Sequence, residues 1–574
     1  MNTSKDSGRI ASSWERWVPG VCRLAAVGLG VLHTAAAVRR FSMNADGISY
    51  LDIGDLYMRG DWAAAVNSVW SPMYSWILGS VLYIFEPSAR WEFAAVQLAN
   101  LAIYLVALLS FEFFWRQLMT HRRSRLGDSR ESRSGLPDWA WPVIGYGLFI
   151  YTSLGLIELW SVTPDMLMTV WVYLASGLIL RIRSGTDSWA AFVGVGLLMG
   201  ASYLTKSVML PLSLAFILAA FLSAGRQRRL VRTAVALGAM LVVAAPFIAA
   251  ISSSTGRFTT GDAGRLTFLR HVNGISYPHW QGSVDGFGQP EHGSRLVHNS
   301  PPVYEFAEPI AGTYPISFDP SYWYRGAIVQ LQPARQLIAV AASGLFYAGL
   351  FFMDLGAITF GIALLSIVGA GKIDEWWEGI LNRTLLLPAL AAFALYALVL
   401  VEGRYIAVFV VLFFGDLLAN LVVKDSHRRL AGVVAALMAV FLVVRIGIFN
   451  LDGVVALAAP HSAEQTSSNR PDWPGEPAEV LQELGVVAGD HVGVIGYAFD
   501  SYWARLGRMK IVAEMPGTVA DIFWYGDESS RTEALGAFRR TGVRAIVAES
   551  VPYRANTTGW RRVGESDYYI YLFR

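Results

Sequence analysis

Four short segments place ionisable side chains directly beside long apolar runs. Asp46 follows the first apolar run in M-N-A-D-G-I-S-Y, and Asp165 stands between two runs in S-V-T-P-D-M-L. Lys206 and Arg404 occupy similar positions in Y-L-T-K-S and V-E-G-R-Y. Charged side chains beside or within apolar runs are costly and tend to carry a function. The carboxylates predict proton acceptance or hydroxyl binding, and the cations predict binding of an anion such as phosphate.

Each of these side chains also has a structural alternative. Asp165 begins an apolar run and is well suited to cap a helix instead of binding sugar hydroxyls or assisting Asp46. Lys206 could extend to a membrane surface without further role. Glu402 and Arg404 could form a structural ion pair, or Glu402 could hold the guanidinium ready for a phosphate. The residue types alone leave these alternatives open.

Three more carboxylates, Asp52, Asp55 and Asp61, follow Asp46 in the same segment. We expect them to cap helices and face water. Further along, R-H-V-N-G-I-S-Y-P-H-W contains side chains that could line an acceptor or sugar site, because aromatic rings stack on sugar faces: His271, Tyr277, His279 and Trp280.

Other families of sites have no support in the sequence. The histidines His271, His279, His292 and His298 lack a recognised metal-site spacing, so no metal ligand is predicted. The chain also has no phosphate-binding P-loop, nucleophile elbow or dinucleotide fingerprint in a strand-turn-helix context.

The composition indicates that a bilayer surrounds the elements that position these residues. Apolar residues make up 54% of the 574 residues and charged residues 16%, well outside the usage of soluble domains. A span needs roughly 20 apolar residues, and about a dozen candidate runs lie between Val18 and Asn450. The net charge of +2 is distributed as basic clusters between apolar runs. That pattern encodes orientation and argues against nucleic-acid binding.

The basic clusters fix the predicted orientation, because Lys and Arg accumulate in cytoplasmic loops. They are 116–133, Arg181 with Arg183, 226–232, 372–383 and 424–429. The spans consistent with this orientation number about eleven: 18–38, 91–118, 139–160, 166–182, 189–205, 207–223, 233–252, 350–370, 384–401, 405–423 and 430–450. The four charged segments then share the extracytoplasmic face. Two further apolar runs, 69–85 and 338–352, break this parity and are predicted to be interfacial or re-entrant helices.

The predicted organisation has four parts. A cytoplasmic N-terminal tail (1–17) precedes a transmembrane domain (18–450), which a linker (451–476) joins to a small extracytoplasmic α/β domain (477–574). The last part alternates short apolar strands with helix-like stretches. Strands are expected at 491–497, 510–513 and 544–548, and helices at 477–484 and 531–541. The loops 39–68 and 252–333 are also expected outside.

Taken in order, six motifs resemble those of the GT-C superfamily of polyprenyl-phosphate-dependent glycosyltransferases. They are D-G-I-S-Y from Asp46, R-G-D-W from Arg59, S-P-M-Y from Ser71, T-P-D from Thr163, L-T-K from Leu204 and E-G-R-Y from Glu402. Within this superfamily, the motifs resemble those of bacterial members akin to the protein O-mannosyltransferases and the aminoarabinose transferase of lipid A. The resemblance covers most of residues 18–450. It implies a polytopic α-helical, GT-C-like membrane fold.

The resemblance also implies roles for individual residues. Asp46 would be the base or acceptor-positioning carboxylate, Asp165 its supporting carboxylate, and Lys206 and Arg404 the donor-phosphate contacts. The expected substrate-binding residues are Tyr50, Glu402, Tyr405 and His279. Two departures stand out: many relatives have a second acid where this chain has Gly47, and a basic residue where it has Ser71.

The implied reaction is a single inverting displacement that moves a sugar from a polyprenyl-phosphate donor to an acceptor at the extracytoplasmic face of the cell membrane. The acceptor is a lipid, a protein or a polysaccharide. No cofactor is required, although a divalent metal is left open. The main alternative is a transporter or flippase of lipid-linked sugars; a lipid-linked glycan ligase and a scaffold protein are the others.

Overall fold

The computed structural model describes residues 17–41, 43–126, 135–186, 188–275, 279–282, 286–369, 383–458 and 473–574. Residues 1–16 of the predicted N-terminal tail (1–17) and residues 459–472 of the predicted linker (451–476) lie outside these ranges. So do residues 127–133 of the basic cluster expected at 116–133, and all of the cluster expected at 372–383 except Arg383.

The first half of the chain is helical, because apolar runs in a bilayer must satisfy their backbone groups internally. Its helices are α1 (Val18–Arg40), α2 (Ala45–Met58), α3 (Trp62–Ala65), α4 (Pro72–Phe85), α5 (Ala89–Leu126), α6 (Ala140–Ile150), α7 (Asp165–Arg183), α8 (Trp189–Thr205), α9 (Met209–Ser223), α10 (Arg229–Thr255) and α11 (Ala263–His271). A π-helical segment, Tyr151–Leu156, continues α6.

Helices also form most of the second half up to residue 458. They are α12 (Pro315–Phe318), α13 (Pro320–Trp323), α14 (Pro333–Ala348), α15 (Gly356–Gly369), α16 (Leu386–Ala397), α17 (Gly403–Ala419) and α18 (Arg428–Ala458). A second π-helical segment, Gly349–Asp354, continues α14. A short 3-10 helix, Asp425–His427, precedes α18.

All eleven predicted spans overlap helices. Within the described residues, six helices are long and apolar enough to cross a membrane: Val18–Arg40, Ala89–Arg125, Asp165–Arg183, Arg229–Thr255, Pro333–Asp354 and Arg428–Ile448. The chain is therefore a multi-pass helical membrane protein, as predicted, while the count of about eleven crossings stays a prediction.

The two runs expected to be interfacial are both helical. The first forms α4, which at 14 residues is shorter than a typical span. The second lies within the 22-residue helix Pro333–Asp354, whose length and apolarity are sufficient to span a bilayer. Their placement relative to the bilayer stays a prediction.

The C-terminal segment (473–574) contains α19 (Glu476–Glu483), α20 (Tyr502–Leu506), α21 (Ala520–Tyr525) and α22 (Glu528–Arg540). Its strands are β3 (His491–Gly496), β4 (Lys510–Pro516), β5 (Ala545–Ala548), β6 (Arg561–Arg562) and β7 (Tyr569–Leu572). The three expected strands and two expected helices thus occur within a few residues of their predicted positions. Short 3-10 turns at Ala498–Asp500 and Gly517–Val519 follow β3 and β4.

The sheet joins two distant parts of the sequence. Two strands of the loop 252–333, β1 (Arg295–Asn299) and β2 (Pro302–Glu305), extend the sheet of the C-terminal segment in the order β1-β2-β4-β3-β5-β7-β6. Pairing is parallel for β4-β3 and β3-β5 and antiparallel for the other neighbours. Separate clusters of buried apolar side chains lie around this sheet and among the membrane helices.

Helix α2 lies between the sheet and the membrane helices, and it packs closely against α4. Gly54 and Gly79 make this approach, because a Cβ atom added to Gly79 would lie 2.6 Å from the carbonyl oxygen of Gly54. Glycine at both positions lets the two backbones touch.

Candidate functional site

The predicted charged residues meet where four helices begin or end. Asp46 is the second residue of α2, Asp165 the first of α7, and Arg404 the second of α17, while Lys206 directly follows the last residue of α8. Acidic groups are stabilised at helix N-termini by the unpaired backbone N–H groups there. The first turns of α2 and α7 therefore suit the two carboxylates.

The start of α2 is attached to the segment that precedes α7. The side-chain amide of Asn44 donates to the carbonyl of Val162 at 3.3 Å and accepts from its N–H at 2.9 Å. Gly47 packs on the same residue, since an added Cβ would lie 2.7 Å from the Val162 Cβ. A larger side chain at position 47 would therefore require α2 or Val162 to shift.

Asp165 and Lys206 form a close ion pair. The ammonium Nζ lies 2.5 Å from Asp165 Oδ1, and the two side chains are 21% and 1% exposed, respectively. No cap hydrogen bond is made by the side chain of the N-cap residue Pro164. The Asp165 carboxylate is directed to Lys206. Asp165 therefore does more than cap α7, and Lys206 does more than extend to a membrane surface.

Arg404 connects three side chains of the site. Its Nε donates to Glu402 Oε2 at 2.7 Å, its Nη1 lies 3.5 Å from Asp46 Oδ2, and its Nη2 lies 3.4 Å from the hydroxyl of Tyr405. The predicted Glu402–Arg404 pair is thus present, and it orients the guanidinium toward Asp46.

The ring of Tyr405 brings the two cations together. Lys206 Nζ lies 3.8 Å and the Arg404 guanidinium carbon 5.1 Å from the ring centroid. The two cationic groups are therefore within about 9 Å of each other. The ring of Tyr396 stacks on the ring of Tyr405 at a centroid separation of 5.3 Å. Two cations on one aromatic platform form a surface suited to a phosphate group.

Tyr50 lies one turn after Asp46 on α2 and is buried. Its ring makes edge contacts with those of Trp70 and Tyr74, each at 5.1 Å between centroids. Burial raises the pKa of the Tyr50 phenol, and the charges of Asp46 and Asp165 raise it further. The predicted substrate residue is thus close to both carboxylates.

The protein environment also shifts the acid-base properties of the site. Removal from water raises the pKa of Asp46, and the positive charge of Arg404 opposes this rise. Burial lowers the pKa of Lys206, and the charge of Asp165 opposes this shift. For both Asp46 and Lys206, the nearby opposite charge therefore opposes the effect of desolvation.

His279 lies in a different environment from these residues. It stacks on Tyr304 at 4.1 Å, its Nε2 is 3.1 Å from Glu514 Oε2, and its Nδ1 is 3.0 Å from the hydroxyl of Ser294. These partners belong to the sheet and the loop beside it. Its assignment as a substrate contact stays a prediction. Of its neighbours in sequence, Tyr277 lies outside the described residues, whereas His271 interacts electrostatically with Glu402.

The other three acids of the Asp46 segment divide between two roles. Asp61 caps α3 by accepting the N–H of Ala64 at 3.2 Å, as expected. The expectation that Asp52 and Asp55 face water is wrong, because both bind the guanidinium of Arg505, at 2.6 and 3.1 Å. Their partner lies about 450 residues later in the chain, so no local pattern could show it.

Sequence reasoning also missed Asn44, Tyr396 and Glu158. Asn44 stood in the quoted motif, but its partner Val162 is 118 residues away. Tyr396 lies in an apolar run and has no distinctive sequence signal. Glu158 precedes α7 with a positive φ of 62°, and its carboxylate interacts with the charge of Arg404. A side chain held in this strained backbone region at the edge of the site is a further candidate for function.

Within the part of the chain that the structure describes, no group of three or more His, Cys, Asp or Glu residues is arranged to hold a metal ion. The prediction of metal-independent chemistry was made from the sequence and stays a prediction.

No protein-family model matches the chain, and no curated protein matches it. Among solved structures, the chain is similar to ArnT from Cupriavidus metallidurans bound to undecaprenyl phosphate, with 13% identity, 98% of each chain covered and a TM-score of 0.48. The apo state of that protein gives 14% identity, coverage of 97% and 98%, and a TM-score of 0.48. An oligosaccharyltransferase from Archaeoglobus fulgidus, in complex with Zn and sulfate, gives 13% identity, a TM-score of 0.49, and coverage of 93% of this chain and 68% of that one. At such identities and TM-scores, these likenesses assign neither a family nor an activity to this chain.

Proposed function

We propose that the protein is a membrane glycosyltransferase that takes its sugar from a polyprenyl-phosphate donor and transfers it to an acceptor on the extracytoplasmic side. The observation that supports this most is the common position of Lys206 and Arg404 against the ring of Tyr405, beside the carboxylates of Asp46 and Asp165. Cations and carboxylates on one surface are what a displacement at a sugar phosphate needs.

The donor phosphate would bind to Lys206 and Arg404. A lysine ammonium has three N–H donors and a guanidinium has five. Lys206 uses one donor for Asp165, and Arg404 directs donors to Glu402 and Asp46, so both retain donors for phosphate oxygens. The existing ion pairs would hold both cations in place and need not break when the donor binds.

In the reaction, an acceptor oxygen or nitrogen forms a bond to the anomeric carbon while the bond from that carbon to the phosphate oxygen breaks. The configuration inverts, and the polyprenyl phosphate leaves with the electron pair of the broken bond. Asp46 receives the acceptor proton or orients the acceptor. Its raised pKa favours this role, because a base with a pKa closer to neutral is a better proton acceptor at physiological pH. Lys206 and Arg404 stabilise the charge that develops on the phosphate.

The proposal is tested by sugar transfer from radiolabelled synthetic polyprenyl-phosphate donors to membrane extract, with purified wild type and the variant Asp46→Asn. Asp61→Asn is a matched control, because Asp61 belongs to the same segment but is exposed and only caps α3. We expect transfer by the wild type and by Asp61→Asn, and a loss of about 100-fold or more in Asp46→Asn.

Two results would contradict the proposal. Equal transfer by Asp46→Asn and the wild type would remove Asp46 from the reaction. If no donor gave product and the label crossed the bilayer of proteoliposomes instead, the protein would be a transporter or flippase of lipid-linked sugars. The same assay identifies the sugar and the acceptor, since each donor and each extract fraction is tested separately.

A further inference from the structure

Helix α2 presents two opposite faces to two different parts of the protein. At about 100° per residue, Tyr50 lies about 40° around the helix from Asp46, whereas Asp55 lies about 180° away. The first face carries the proposed site residues Asp46 and Tyr50. The other face is turned to the C-terminal segment, which contributes Arg505 and Arg508.

Arg505 is the centre of the contact on this second face. Its Nη1 donates to Asp52 at 2.6 Å and to Asp55 at 3.1 Å, and its Nε donates to Glu92 of α5 at 2.9 Å. The side chain is 1% exposed, so water does not compete for these bonds. One guanidinium thus joins α20 of the C-terminal segment to both α2 and α5.

Neighbouring contacts reinforce this junction. Tyr502, on the same short helix as Arg505, donates its hydroxyl to Glu92 at 3.2 Å. Arg508, which is 44% exposed, bonds Asp55 at 2.5 Å and Glu92 at 3.2 Å. The two arginines outweigh the effect of burial and hold the pKa of Asp55 below its usual value.

The opposite carboxylate oxygen of Asp52 has its own partner. The backbone N–H of Thr313, in the loop 252–333, donates to Asp52 Oδ2 at 2.7 Å. Ser49, one turn earlier on α2, exchanges a hydrogen bond with the hydroxyl of Ser317 at 2.8 Å. The loop thus holds one flank of α2 while Arg505 holds its far side.

We propose that Arg505 is a positioning residue for the transfer reaction: by binding the far side of α2 from the C-terminal segment, it fixes Asp46 relative to Asp165 and Arg404. This inference rests on the proposed function. The distance of 3.5 Å between Arg404 Nη1 and Asp46 Oδ2 is long for a hydrogen bond, so this contact alone restrains α2 weakly. The donor-phosphate contacts Lys206 and Arg404 belong to other elements, and Arg505 does not hold them.

The test is the variant Arg505→Lys in the full-length protein. Lysine keeps the positive charge but loses the planar fork that reaches three carboxylates at once. The matched control is Arg544→Lys, since Arg544 pairs with Asp490 at 2.7 Å within the C-terminal segment and away from α2. Hydrogen exchange of peptides covering 45–58 and 403–419 is measured together with kcat and the KM for the donor.

We expect exchange in 45–58 to increase about tenfold in Arg505→Lys, with 403–419 unchanged and the control equal to the wild type. The value of kcat should fall by about 10- to 100-fold, as for a displaced catalytic group, while the donor KM stays within about threefold. A purely structural role would lower the active fraction and leave both constants of the remaining enzyme unchanged.

Unchanged exchange in 45–58, or a donor KM that rises while kcat is retained, would overturn the proposal. If Arg505→Lys does not accumulate, Asp55→Asn removes the negative charge that binds both Arg505 and Arg508, at a side chain that is 18% exposed. It should show the same pattern at smaller size. Absence of transfer by the wild type with every donor would refute the proposed function alone. The exchange of 45–58 would then still decide whether Arg505 anchors this helix.

Discussion

The Asp165–Lys206 pair gives a prediction that separates the folding role of the site from its chemistry. Replacing Lys206 by Met leaves the Asp165 carboxylate, which is 1% exposed, without the ammonium that lies 2.5 Å from it. Breaking a buried ion pair from one side costs about 3–5 kcal/mol. Replacing Asp165 by Asn is milder, because the ammonium is 21% exposed and keeps its contact with the Tyr405 ring. We expect a loss of about 1–2 kcal/mol for this change.

The double variant Asp165→Asn/Lys206→Met leaves no buried charge unpaired. It should therefore be more stable than Lys206→Met by about 2 kcal/mol or more, although it carries one more substitution. Activity should behave differently from stability. Without the ammonium at the donor phosphate, kcat should stay about 100- to 1,000-fold below the wild type in both variants that lack Lys206.

Stability is measured by denaturant unfolding of the purified proteins in one detergent, and activity by transfer from the polyprenyl-phosphate donors. Lys510→Met is the matched control, because the ammonium of Lys510, in the C-terminal segment, donates at 3.1 Å to the carbonyl of Ile310 in the loop 252–333. It should lower stability by only about 1 kcal/mol and leave the donor KM unchanged. If Lys206→Met were as stable as the wild type, the assigned burial of Asp165 would be incorrect. If the double variant recovered transfer, Lys206 would not bind the donor phosphate.

Three further predictions test the surroundings of the site. Gly47→Ala should lower both the free energy of unfolding, by about 1–3 kcal/mol, and kcat. The reason is that the new Cβ lies 2.7 Å from the Cβ of Val162 and must displace α2. Unchanged values would show that this contact is loose. Glu402→Gln removes the charge that orients Arg404, so the donor KM should rise several-fold. The free energy of unfolding should change by less than about 1 kcal/mol, since both side chains of the pair are partly exposed. A large loss of stability would contradict this prediction. Burial raises the pKa of Glu549 to about 7, above its ordinary 4.5, so the folded state holds this proton more tightly than the unfolded state. The contribution of Glu549 to the free energy of unfolding should therefore be largest below about pH 4.5 and should fall by about 3 kcal/mol as the pH rises to about 7. This loss should be absent in Glu549→Gln when unfolding is compared at pH 5 and 7.5. Equal pH dependence of the two proteins would refute the assignment.

The helices could be predicted from the sequence because hydrophobicity is a local property. Each predicted span overlaps a helix, and the expected strands at 491–497, 510–513 and 544–548 occur close to those positions. The sheet could not be predicted as it is built, since β2 pairs with β4 across about 200 residues of chain. Strand pairing over such a separation depends on the fold, and neither partner carries a signal that names the other.

The site could be predicted in part for a related reason. Asp46, Asp165, Lys206 and Arg404 were recognisable because each is a charged residue at the end of an apolar run, where its presence needs an explanation. The Glu402–Arg404 pair, two residues apart, was expected from the sequence, but the sequence could not show that Lys206 pairs with Asp165 or that Arg404 also reaches Asp46. Pairing depends on which helix ends meet, and that is decided by packing.

The sequence by itself determined that this chain is a multi-pass membrane protein and which charged residues lie at the ends of its helices. Both follow from the cost of placing polar groups in hydrocarbon, which acts on each segment separately. Only the tertiary structure decided that Asp52 and Asp55 are buried against Arg505 and do not face water. A guanidinium about 450 residues away can satisfy these carboxylates only after the C-terminal segment has packed on α2, because the bond exists between folded surfaces and not within any stretch of sequence.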